Sequence, residues 1–248
     1  MVTLKDKVVV VTGGTAGIGA ATVEHCAALG ARVVFTGRDR GRGAELAKRI
    51  LHARFVRGDV TARDFPESIV RDCVSHEGRI DVLVNNAGIL FRGRADETTD
   101  EQWDATFATN VTAVFRMSRA VVPGMRAQGG GAIVNVASDW ALVGARGALA
   151  YGASKGAVAQ LTRSMAVDHA RDRIRVNAVC PGDTETAMLM SGATADREAH
   201  LARLGAAIPL GRVGQPIEVA KLIAYLASDD AAFITGALMP IDGGNSAA

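Results

Sequence analysis

The stretch Val8-Val9-Val10-Val11-Thr12-Gly13-Gly14-Thr15-Ala16-Gly17-Ile18-Gly19 decides the fold. Four successive β-branched residues suit a strand buried on both faces, and such strands belong to parallel sheets. The glycines that follow allow a tight turn into a segment with helical spacing: Val23, Cys26, Ala27 and Gly30 recur at i, i+3, i+4 and i+7. A glycine-rich turn between a strand and a helix lets the backbone approach a pyrophosphate, whose charge is favoured at the helix N-terminus. Taken alone, the same turn also serves as a plain strand-to-helix connection with no ligand.

Outward from this loop, the rhythm repeats. Val33-Val34-Phe35, Val82-Leu83-Val84, Ile133-Val134-Asn135-Val136 and Ile174-Arg175-Val176-Asn177-Ala178-Val179 read as further strands. Helical spacing returns at Val158, Leu161, Thr162 and Met165, and again at Val219, Leu222, Ile223 and Leu226. Strand and helix in alternation predict an α/β fold, a doubly wound parallel sheet of about seven strands with helices on both faces. One Rossmann-type domain over 1–248 is expected, because doubly wound folds often use this length as a unit. The stretch from Pro181 to Pro209 breaks the rhythm, and a flexible helical lid over about 183–208 is expected beyond the strand ends.

Composition excludes several functions. Hydrophobic residues make up 48% and charged residues 22% of the 248, which is ordinary for a globular protein and argues against disorder. Net charge is +2, from 28 basic and 26 acidic residues, so no polyanionic partner is called for and no nucleic acid binding is expected. Cys26, Cys73 and Cys180 are odd in number and far apart, unlike a disulfide framework or a metal site. The five histidines lack ligand spacing, so no catalytic metal is expected. No signal-peptide pattern and no membrane-length apolar run is visible, which makes the cytoplasm the default compartment.

Six motifs then follow one another in order. They are Thr12-Gly13-(three residues)-Gly17-Ile18-Gly19, Asn85-Asn86-Ala87-Gly88 after a strand, and Ser138 at the end of another. Tyr151-Gly152-Ala153-Ser154-Lys155 opens a helix, Pro181-Gly182 follows a further strand, and Ile241-Asp242-Gly243-Gly244 lies near the end. This series resembles the short-chain dehydrogenase/reductase family over essentially the whole chain. The resemblance implies a hydride exchanged between a nicotinamide cofactor and a secondary alcohol or ketone.

The chemistry suits the residues. Tyr151 and Lys155 are four apart at a helix start, so both project from one face. Seen alone, such a pair is usually surface decoration. A free tyrosine has a pKa of about 10, and a nearby ammonium is expected to bring it toward neutrality as acid and base. Ser138 would hold the substrate oxygen, although alone it would read as a cap. By resemblance, Asn110 holds a water that links Lys155 to solvent, and Lys155 also bonds the nicotinamide ribose. The resemblance implies cofactor contacts for Gly13, Thr15, Gly17, Ile18, Gly19, Asp59, Val60, Asn86, Ala87, Gly88, Tyr151, Lys155, Pro181, Gly182, Thr184 and Thr186.

The second strand ends at Gly37-Arg38-Asp39, where an acid would bind the ribose hydroxyls of NAD(H). Arg38 instead suits the 2′-phosphate of NADP(H), so NADP(H) is favoured, with NAD(H) as the alternative if Asp39 reaches the pocket. Walls of the substrate pocket are expected from Asp139, Trp140, Leu142, Val143, Gly144, Met188, Leu189 and Met190, whereas Asp183 and Glu185 are expected to face solvent. Trp140 would serve as a pocket face or as packing under the lid. Two other functions remain open: reduction of a 3-oxoacyl group on an acyl-carrier protein, and a catalytically silent nucleotide-binding regulator. By resemblance the chain forms a homotetramer through helices near Trp103–Arg126 and Tyr151–Arg171.

Overall fold

The computed structural model describes residues 2–191 and 196–248. Seven strands form one parallel sheet, β1 (Val8–Thr12), β2 (Arg32–Gly37), β3 (Ala53–Arg57), β4 (Val82–Asn85), β5 (Gly131–Val136), β6 (Ile174–Pro181) and β7 (Leu238–Ile241). Their spatial order is β3-β2-β1-β4-β5-β6-β7. The chain winds outward from β1 to β3, then returns to lay β4 on the other side of β1. That reversal opens a crevice at the carboxyl ends of β1 and β4, where ligands of such folds sit.

The four valines of β1 show why the run is unbroken. Val9 and Val11 face one core with Val23 and Cys26 of α1 (Gly17–Ala28), Leu46 of α2 (Arg40–Arg49) and Val219 and Ile223. Val8 and Val10 face the other with Ile69 and Cys73 of α3 (Phe65–Glu77) and Met117 and Val121. A period of two directs neighbours to opposite faces, and both faces are dry.

The helix expected after the loop ends earlier than its spacing suggests. α1 stops at Ala28, and Gly30 takes φ +90° in the turn, with Lys5 against it. Its place in the apolar series is therefore conformational: only glycine adopts that angle freely. α4 (Asp100–Phe107) and α5 (Ala113–Ala127) are joined through a wide turn, Ala108–Thr112, of π-helical type, with Asn110 buried inside it. α6 (Leu149–His169) follows β5, and α7 (Ala187–Met190), α8 (Arg197–Gly205) and α9 (Pro216–Ala227) follow β6. Part of the expected lid, residues 192–195, lies outside the described residues. No helix among the described residues is long and apolar enough to cross a membrane.

One buried polar chain fastens α5 and α6 to the sheet. Asn85 donates to Ser118 of α5 at 3.2 Å and to Asn135 of β5 at 2.9 Å, and Asn135 donates to Thr162 of α6 at 2.9 Å. Asn85, Ser118, Asn135 and Thr162 are all buried, so each lost partner leaves a polar group desolvated and unpaired. Asn135→Ala should lower the free energy of urea unfolding by about 2 kcal/mol. An unchanged midpoint would show that this chain of bonds does not hold α6 in place.

Candidate active site

The glycine loop builds the floor of the crevice. Ala16 begins α1 with no side-chain cap, which leaves the first backbone N–H groups of the helix free to meet an anion. Gly13 and Gly17 take φ of +65° and +54°. A Cβ on Gly19 would stand 2.2 Å from the Gly13 carbonyl oxygen and 2.5 Å from Asn86 Nδ2. Asn86 ties the loop to β4, donating to the Thr12 and Gly13 carbonyls at 3.0 Å each. Gly19 is thus needed for packing behind the loop, and it does not line the crevice.

A continuous cleft runs from Arg38 and Asp59 at one end, past Gly13, Thr15, Gly17 and Ile18, to Ser138, Tyr151 and Met188 at the other. Val60, Asn86, Ala87, Gly88, Lys155, Pro181, Gly182, Thr184 and Thr186 also line it, along with Trp140. Most residues named from sequence are therefore brought together, and glycine backbone, free N–H groups and a terminal arginine are a donor set that fits a dinucleotide. Gly19 and Asn110 stand outside. Asn110 accepts from Ile89 N at 2.9 Å and donates to Ile89 O and Ser154 Oγ at 2.9 and 3.0 Å. Its amide is fully engaged in holding the strand-end loop against α6.

At the Arg38 end, Asp39 is turned away. It caps α2, accepting from Arg42 N at 3.0 Å, and pairs with the Arg42 side chain. Asp59 accepts from the amide and hydroxyl of Thr61 at 2.9 and 2.7 Å, and these bonds, with the Arg38 charge, hold its carboxyl below the usual range despite partial burial.

At the Ser138 end, Tyr151 and Lys155 do share a face of α6. Lys155 Nζ lies 5.5 Å from the Tyr151 ring centroid and donates to the Val136 carbonyl at 2.7 Å. The expected lowering of the phenol by Lys155 is not what the geometry gives. Burial pushes Tyr151 up to about 12, the Ser138 hydroxyl draws it back, the Asp139 carboxylate raises it and the Arg92 cation lowers it. Lys155 is itself drawn down to about 8 by burial. Desolvation disfavours the charged form of each group and is the largest cause of both shifts.

Several pocket expectations change. Leu142, Val143, Gly144 and Met190 do not line the cleft; the short helical turn after Ser138 carries Leu142 outward, where it is exposed. Asp183 does not face solvent but lines the cleft, with its carboxyl raised by burial and by Asp139. Glu185 is bound by Arg197 and by Gln215 Nε2 at 2.8 Å. Sequence reading missed Arg92, whose guanidinium stacks 5.3 Å above the Trp140 ring, while that ring meets Tyr151 edge-on at 5.8 Å. It lies on an irregular loop with no periodic signal, so only the fold brings it to the site. Ile89 and Leu90 reach the cleft in the same way, and Thr109 reaches it from the π-helical turn.

Residues 13–246 match a family model described as Enoyl-(Acyl carrier protein) reductase. The chain is 42% identical over 251 residues to a cyclopentanol dehydrogenase of Comamonas sp., covering 98% of each. It is 41% identical over 248 residues to a cis-4-hydroxycyclohexanecarboxylate dehydrogenase of Sinomonas cyclohexanicum, covering 98% of this chain and 97% of that one. The crystal structure of gox2181 superposes with a TM-score of 0.94 at 36% identity, covering all of this chain and 98% of the other.

Below about pH 8 the folded chain carries a buried ammonium at Lys155, which weakens the fold; that penalty fades as pH rises from 8 toward the ordinary lysine value. Lys155→Met should therefore raise urea stability at pH 7, by an amount on the order of 2 kcal/mol. A variant less stable than the parent at pH 7 would contradict the buried-charge account.

Proposed function

The chain belongs to the short-chain dehydrogenase/reductase family, and from that premise we propose that Tyr151 is its acid and base, working beside Ser138 and Lys155. The reaction is the NAD(P)-dependent interconversion of a secondary alcohol and its ketone. The observation that carries this reading is the convergence of Ser138, Tyr151 and Lys155 at the end of one cleft whose other parts suit a dinucleotide.

When bound, the nicotinamide cofactor gives or takes the hydride. The protein's part is protonic and geometric. A phenol held neutral by burial is ready to donate to a carbonyl oxygen, and in oxidation it takes the alcohol proton. Ser138 fixes the substrate oxygen next to that phenol. Lys155 is positioned by the Val136 carbonyl and would bond the ribose of the cofactor. Gly13, Thr15, Gly17 and Ile18 would receive the pyrophosphate, Asp59 and Val60 the adenine, Asn86, Ala87 and Gly88 the neighbouring ribose, and Pro181, Gly182, Thr184 and Thr186 the nicotinamide. α7 supplies the lid, with Met188 over the substrate and Trp140 as an apolar wall, a shape suited to a small alicyclic alcohol.

NADP(H) is the preferred form in this reading. Arg38 lines the cleft at the end of β2, and the nearest alternative acid, Asp39, is spent on the α2 cap. A homotetramer also belongs to the proposal, supported by exposed apolar side chains on the helices concerned: Trp103, Phe115 and, at 81% exposure, Val167.

Two exchanges test the assignment. Tyr151→Phe should bind NADPH as the parent does, yet lose turnover by about a hundredfold or more in steady-state assays; retained activity would remove the phenol from the mechanism. Arg38→Asp should raise the Kd for NADPH by at least about tenfold more than that for NADH. Equal losses in a fluorescence titration would show that Arg38 does not read the phosphate.

A further inference from the structure

We infer that Asp139 is a positioning residue for the reaction: its carboxylate takes the hydrogen of the Ser138 hydroxyl, so Ser138 meets the phenol and the substrate as an acceptor. The inference rests on the roles proposed above for Ser138 and Tyr151.

Asp139 is almost wholly buried, at 4% exposure, beside the reactive end of the cleft. Its Oδ1 accepts from Ser138 Oγ and from Trp140 N, each at 2.8 Å, and its Oδ2 accepts from Asn245 Nδ2 at 2.8 Å. Every partner is a donor, which is the set an ionised carboxylate requires. The Trp140 amide also reaches Ser138 Oγ, at 3.2 Å. The serine oxygen therefore has its hydrogen committed to the carboxylate, and only lone pairs remain toward the cleft.

The groups that face Asp139 from other elements are Tyr151 on α6, Cys180 at the end of β6, Asp183 just after it, and Asp242 after β7. Each is neutral or acidic. The carboxylate adds negative potential at the phenol and holds the Ser138 hydrogen that would otherwise draw the phenol down, so both effects keep the phenol's proton in place, against the Arg92 cation, which lowers it. A bound alcohol can donate to Ser138. A ketone oxygen receives no hydrogen from Ser138 until the bond to Asp139 is broken. The tie to Asn245 brings the C-terminal segment into this arrangement, far from it in sequence.

Asp139→Asn removes the charge and, with the Asn245 amide turned over, keeps the shape, but its neutral amide oxygen holds the Ser138 hydrogen more weakly. The direct readout is the phenolic carbon signal of isotope-labelled tyrosine in the full chain. Only Tyr151 and Tyr225 are present, so Tyr225→Phe leaves one signal. At a fixed alkaline pH at which circular dichroism shows the fold intact, Asp139→Asn should raise the phenolate fraction about tenfold, which corresponds to about one pKa unit. In a Ser138→Ala background the same exchange should have a clearly smaller effect. With cyclopentanol and cyclopentanone as probes, the ketone KM should fall relative to the alcohol KM. Asp139→Ser, neutral and shorter, should shift the signal in the same direction and stands in if the asparagine variant does not fold. An unchanged phenolate fraction in both variants, or a shift just as large without Ser138, overturns the inference. Neither result depends on turnover, so they are separable from a Tyr151→Phe variant that stays active, which would instead remove the roles on which the inference rests.

Discussion

A lysine ammonium held in the interior against the last carbonyl of β5 is the interaction on which the geometry of the site depends. Lys155 Nζ donates to Val136 O at 2.7 Å, and this bond ties α6 to the end of β5. Tyr151 stands one turn earlier on the same helix, so its place over the cleft follows from the lysine's. The polar chain from Asn85 through Asn135 to Thr162 secures the same helix two turns further on. A charge buried without an opposite charge destabilises a fold, and such strained groups gather where function requires them.

The sheet supplies the other half of the arrangement. Parallel strands with dry faces need helices on both sides, and their common direction puts every strand's carboxyl end on one edge. The reversal between β1 and β4 then leaves a crevice that neither set of helices fills. Loops after β1, β2, β3, β4, β5 and β6 all open into it, which is why residues as distant as Arg38 and Met188 share one cleft.

Much of this was legible in the chain. The buried strands announced themselves because both faces are apolar, and the β1 valines divide cleanly between two cores. β3 was harder: it is an edge strand, Ala53-Arg54-Phe55-Val56-Arg57, with arginines on it and no fully buried residue. Gly30 mimicked a helical position because a turn glycine and an apolar face residue look alike in a spacing count. The site residues fixed to elements, Tyr151, Lys155 and the glycine loop, were readable because their spacing is set by the helix or the turn. Arg92 and the binding of Asp139 were not, since each depends on contacts between segments distant in sequence. The direction of the Tyr151 shift is hidden for a related reason: spacing reveals a neighbouring charge but not how far water is excluded from both groups.

The central claim is that one cleft presents a phenol and a serine to the oxygen of a secondary alcohol beside a nicotinamide. A crystal structure of the complex with NADP(H) and an alicyclic alcohol tests it most directly. The account predicts the alcohol oxygen within hydrogen-bond reach of both Tyr151 Oη and Ser138 Oγ, with the 2′-phosphate on Arg38. An alcohol oxygen seated away from the phenol, with the dinucleotide outside the β1–β4 crevice, would contradict it.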